Sequence, residues 1–171
     1  MKPSLVNRMD IWARHLVPFG LTLCLLLVNV TPTRIPGFAG VAPMLPMMAV
    51  FYWAIFRPDL LPAWVAFVIG LLFDVVSGTP LGVNALVLLL VQGVTSAQRR
   101  FFLGNTFVVA WWGFGMIAAG ASTLAWMLVS LLIDGRIAFR AVLFEYLLTV
   151  SLYPVVAWVL ARTQVMLLRQ A

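Results

Sequence analysis

The sequence predicts an all-α integral membrane protein, a compact bundle of six transmembrane helices with both termini in the cytoplasm. Three observations predict it. Of 171 residues, 64% are hydrophobic and 9% charged, whereas soluble domains are about half apolar and a quarter charged. The charges gather between apolar runs long enough to cross about 30 Å of hydrocarbon. The loops between these runs are short, so successive helices must be antiparallel neighbours.

No shift in composition divides the chain, which reads as a single transmembrane domain over 1–171. The first span, about 16–32, follows a polar tail ending at Arg14. No small-x-small cleavage site follows it, so it is expected to be a retained helix and not a signal peptide. The second span, about 42–56, opens on Pro43 and Pro46, which suit a first helical turn whose amides lack partners anyway. From Leu60 to Gln98 the only charge is Asp74. That run is too long for one helix, and it divides at Ser77-Gly78-Thr79-Pro80 into spans of about 60–76 and 81–98. The fifth span is about 106–132. The sixth is about 140–161, with Glu145 inside it and Pro154 as the expected kink.

Six spans place both ends of the chain on one side. Lys2, Arg8, Arg14, Arg57, Arg99, Arg100, Arg162 and Arg169 fall on that side; Arg34, Arg136 and Arg140 fall on the other. The excess of cations assigns the first side to the cytoplasm. Trp12, Trp53, Trp64, Trp111, Trp112 and Trp158 lie near span ends and are expected to form an interfacial belt. A net charge of +6 would suggest nucleic acid in a soluble protein. Placed between apolar runs, it reads as a topology signal and as headgroup contact with membrane lipids, with no nucleic-acid partner.

Chemistry has few carriers here. There are five acids, one histidine and one cysteine. His15 is expected to be interfacial, and Cys24 to pack as a small hydrophobe with no intrachain disulfide to form. No phosphate loop, Ser-His arrangement, Cys pair or paired carboxylates occurs. The sequence therefore assigns no catalytic residues, no cofactor and no metal ligands. Glu145 is expected to pair with Arg140 or Arg136 or to satisfy a helix end. Arg99-Arg100 reads as a stop-transfer pair, with anionic lipid or a cytoplasmic filament as the functional alternative. Asn84 and Gln92, eight residues apart, share a helical face and are expected to hydrogen-bond between helices.

Asp74 stands apart. A charge at the centre of a membrane helix costs about 2.5–3.5 kcal/mol on insertion scales, so this residue faces the bundle, faces water or carries a proton. It lies three residues before the turn. From there it can accept amide hydrogen bonds from the turn or from the start of the next helix, where the dipole favours an anion. Gly78 and Gly82 suit a tight re-entry, and Pro80 suits a first turn. The structural reading makes Asp74 the pin of this hairpin. The functional one makes it a site for an ion, a proton or a partner.

The run "RPDLLPAWVAFVIGLLFDVVSGTPLGVNAL", Arg57 to Leu86, resembles the signature of the bacterial rod shape-determining protein MreD family. The matching positions are Arg57, Pro58, Gly70, Leu71, Leu72, Asp74, Gly78, Leu81, Gly82, Ala85 and Leu86. With Pro80 and Asn84, these supply the candidate structural or partner-binding motif. The resemblance implies a non-enzymatic, multi-pass subunit of the bacterial inner membrane that serves cell elongation and peptidoglycan synthesis. Its implied partners are an MreC-like scaffold, an MreB-like filament engaged directly or through another subunit, and RodA-like and class B penicillin-binding wall synthases; homo-oligomerisation stays open. The family is similar in fold to the substrate-binding subunits (S-components) of vitamin transporters, which makes a solute-binding subunit the alternative. The first span, "LVPFGLTLCLLLVNV", lacks the Ala-x-x-x-Ala pattern that such a subunit would present to an energising module. An ion or proton channel built on Asp74 and Glu145 is a third, weaker alternative.

Overall fold

The computed structural model describes residues 5–30, 42–133 and 138–168, with side chains described from 18 to 166. Lys2, Arg34, Arg136 and Arg169, and the side chains of Arg8, Trp12, Arg14 and His15, lie outside the described residues. Within them there are seven helices and no strand: α1 (Leu5–Val30), α2 (Leu45–Phe56), α3 (Ala63–Ser77), α4 (Val83–Ala97), α5 (Arg99–Leu103), α6 (Phe107–Leu132) and α7 (Phe139–Leu168).

The short helix α2 is the centre of the molecule. From Pro46 to Ile55 every residue is buried, which fits a segment that is apolar all round. α1, α4, α5 and α7 pack on it, α3 joins α1 to α4, and α6 joins α4 to α7. The core is aromatic. The Phe51 ring lies 5.1–5.6 Å from the rings of Phe102, Phe114 and Tyr153.

A buried helix end has no water to satisfy its free amides and carbonyls, so side chains must do it. At the start of α2 the Met44 amide donates to the Thr149 hydroxyl of α7 at 3.0 Å. The Asn29 side chain of α1 donates to the Pro43 carbonyl. At the other end Arg99 Nε donates to the Ile55 carbonyl at 2.8 Å. Tyr52 donates to Gln164 of α7 at 2.9 Å. Between α6 and α7, Trp111 Nε1 donates to the Val150 carbonyl at 2.9 Å and Tyr146 donates to the Gly115 carbonyl at 3.2 Å.

Several sequence expectations need correction. α2 begins at Leu45, not near Ala42, and only Pro46 lies in its first turn. Pro43 precedes the helix, and its carbonyl accepts from Leu45 N as well as from Asn29. α3 begins at Ala63 because Pro62 holds extended backbone at its N-cap. α4 begins at Val83 because Gly82 has a φ of +98°. α5 was not expected. Trp53 is no belt residue: it is 0% exposed, inside the core. Trp111 is half-buried and hydrogen-bonded, whereas Trp64, Trp112 and Trp158 are exposed. No ion pair joins the half-buried Glu145 to Arg140 among the described residues. Among the described residues, only α6 and α7 qualify by length and composition as spanning helices; Pro18–Val30, α2, α3 and α4 are shorter apolar helices.

Candidate functional site

The polar centre of the molecule is the reversal between α3 and α4. The two helices approach closely at Gly70, where a Cβ would fall 2.6 Å from the Ala85 amide nitrogen and 2.8 Å from the Asn84 carbonyl oxygen. No side chain fits there. α3 then ends at Gly78, whose φ of +69° is the left-handed conformation that glycine adopts most readily. The Gly78 amide donates back to the Asp74 carbonyl, as does the Thr79 amide at 3.2 Å. These bonds close the helix end and aim the chain into α4.

The Asp74 side chain is completely buried, at 0% exposure. Its Oδ1 accepts from the Thr79 hydroxyl at 2.8 Å, from the Asn84 amide at 3.0 Å and from Asn84 Nδ2 at 2.9 Å. Its Oδ2 accepts from the Gly82 amide at 2.9 Å and from the Ala85 amide at 3.4 Å. Asn84 Nδ2 also donates to the Thr79 hydroxyl at 3.1 Å. The N-cap of α4 makes no side-chain cap of its own; the carboxylate of α3 takes that place across the turn. Three backbone amides at one helix start, with two side chains beside them, offset the desolvation of an anion.

A carboxylate has about four lone-pair positions. Five donor contacts converge on this one, so no acceptor site is left for an ion. The donors also come from rigid places, two helices and the turn that joins them. This arrangement stiffens a hairpin and lacks the open valence that chemistry at Asp74 would need.

The structure divides the sequence-derived motif. Gly70, Asp74, Gly78, Pro80, Leu81, Gly82 and Asn84 gather where the α3–α4 hairpin closes. Arg57 and Pro58 lie beyond the far end of α3, Arg57 as the exposed C-cap residue of α2. Leu81 projects from the turn at 72% exposure. Gln92 Nε2 donates to the Leu61 carbonyl at 3.2 Å, so it ties α4 to the segment before α3. Two residues gain roles that sequence reasoning did not assign. Thr79 bridges Asp74 and Asn84, and its signal was a hydroxyl inside a Gly-Thr-Pro turn. Arg99 closes the end of α2, which leaves Arg100 as the exposed member of the pair.

The family model described as rod shape-determining protein MreD matches residues 9–163, which include the whole hairpin. The chain belongs to the MreD family. No curated protein and no solved structure matches it significantly. MreD proteins are membrane proteins with a structural role in determining rod shape. That membership fits a role for the chain in rod shape determination and lends nothing to the solute-binding alternative.

Proposed function

We propose that this MreD-family chain is a non-enzymatic, multi-pass subunit of the bacterial inner membrane that docks other parts of the cell-elongation machinery. In this reading α1, α2, α3, α4, α6 and α7 cross the bilayer in alternate directions, and the termini face the cytoplasm. The alternation agrees with the cross-helix bonds: Met44–Thr149 and Tyr52–Gln164 make α2 and α7 parallel, whereas Trp111–Val150 and Gly115–Tyr146 make α6 and α7 antiparallel. An MreC-like scaffold and RodA-like and class B penicillin-binding wall synthases are the partners proposed to meet the bundle in the membrane. An MreB-like filament lies beneath it.

The saturated carboxylate carries this reading. A chemically occupied Asp74 holds a shape, and a shape held rigid at one membrane face serves docking. The tip it supports presents Leu81, an apolar side chain at 72% exposure, outside the bundle. A photocrosslinking amino acid at Leu81 tests the proposal in living cells, with one at Arg100 as the cytoplasmic comparison. Leu81 is expected to capture a periplasm-facing scaffold or synthase. Capture of lipid alone at Leu81, with normal cell shape, would count against docking through the hairpin.

A further inference from the structure

We infer that this chain thins the bilayer beside α3 and α4. The inference rests on the multi-pass reading above. α3 and α4 have 15 residues each, which at 1.5 Å per residue is about 22 Å. A typical hydrocarbon core is about 30 Å thick. By contrast α6 has 26 residues and α7 has 30, about 39 and 45 Å.

Both ends of the short pair have to lie at an interface. In the loop before α3, Arg57 and Asp59 are exposed charges, and Trp64 is 69% exposed in the first turn of the helix, where a headgroup-level tryptophan belongs. At the other end, Ser77 and Gly78 are exposed and the backbone through Gly82 is irregular. Irregular backbone does not sit against lipid chains, because its polar groups would go unsatisfied. The Asp74 network covers the amides at the start of α4 but leaves the turn itself on the surface. Between these two ends the outward face is apolar, with Leu72, Val75, Leu86 and Leu90 exposed. Two interfaces about 22 Å apart leave about 8 Å less room than an undisturbed bilayer takes.

The opposite side has no such shortfall. Thr149 marks the level at which α2 begins, through its bond to the Met44 amide. From there α7 continues back to Phe139, ten residues or about 15 Å along its axis. The exposed side chains on that stretch are Phe139, Arg140, Leu143, Phe144 and Leu147; beyond Arg140 in the first turn they are all apolar and fit hydrocarbon. The lipid around the bundle therefore meets a step in thickness, shallow at α3–α4 and full at α6–α7.

Lipid chain length reads this step. The full-length protein carrying Cys24→Ser takes a single cysteine for a bimane label, either at Leu90→Cys on α4 or at Met116→Cys on α6. Both positions are exposed, at 45% and 76%. Each variant is reconstituted in phosphatidylcholines with chains of fourteen to twenty-two carbons, and quenching by the brominated form of each lipid reports which chains sit against the label. At position 90 the shortest chains are expected to be favoured over the longest by about threefold, with no such preference at position 116. The same preference at both positions, or none at position 90, overturns the inference and leaves the membrane reading standing. Absence of quenching at position 90 by every lipid overturns the multi-pass reading as well.

Discussion

At the scale of single residues, the chain shows how a buried carboxylate becomes tolerable. Asp74 is not isolated in apolar surroundings; it takes the place of a helix cap. The expected cost of Asp74→Ala follows from the donors it would strand, among them the amides of Gly82, Asn84 and Ala85. Loss of about 3 kcal/mol is expected, visible as a lowered thermal midpoint in detergent and lower abundance in the membrane. Asp74→Asn keeps the size but turns one acceptor into a donor that faces donors, so it is expected to destabilise nearly as much. A near-wild-type midpoint for Asp74→Asn would show that shape and not acceptor chemistry matters here. The spacing of Asp74 before a Gly-Thr-Pro turn made its bond to the following amides legible in the sequence. The role of Thr79 was not legible, because a hydroxyl in a turn can face solvent or the chain with equal ease. Only the path set by Gly78 and Gly82 brings it between Asp74 and Asn84.

At the scale of elements, close approach and terminal satisfaction decide what each helix can be. Gly70→Ala places a methyl group against the backbone of α4 and is expected to push the hairpin apart, at a cost of about 2 kcal/mol. Gly93→Ala, on the same hairpin with nothing within 4 Å of its added carbon, is expected to be neutral or stabilising by up to about 1 kcal/mol. Equal effects in thermal unfolding would remove the packing account. The end of α2 offers a second comparison. Arg99→Ala leaves the buried Ile55 carbonyl without the donor it now has, so about 1–2 kcal/mol should be lost. Arg100→Ala alters an exposed side chain and is expected to stay within about 0.5 kcal/mol of wild type. Most helix ends were readable to within a few residues from charges, prolines and glycines, but α1 begins at Leu5 and α7 runs to Leu168, eleven and seven residues beyond the expected spans. α5 was not, because five residues beginning Arg99-Arg100 look like a loop until Phe102 is seen buried against Phe51 and under Gly113.

At the scale of the whole molecule, the consequence is a bundle with a central short helix and unequal sides. The topology proposed for it is checked by cysteine accessibility in intact cells. A cysteine at Leu81 is expected to react with an impermeant thiol reagent added outside the inner membrane, and one at Arg100 only after that membrane is opened. Residue 81 protected and residue 100 reactive from outside would reverse the orientation and remove the basis for docking at the hairpin. The same bundle explains why Trp53, near the end of its apolar run, was misplaced in the interfacial belt by sequence reasoning. Nearness to a span end is a one-dimensional property, and α2 is enclosed on all sides by other helices.

By itself the sequence determined the solvent, the class of fold, the family and the place of the turn. Each depends on composition or on spacing along the chain, and both survive whatever the helices do in space. Tertiary structure alone decided which helix is central, which tryptophan is buried, and which groups close each helix end. The reason is physical. In a soluble protein the contrast between core and water writes a helix's inner face into its sequence, but here core and lipid are both apolar, so the inward and outward faces look alike until the helices are packed.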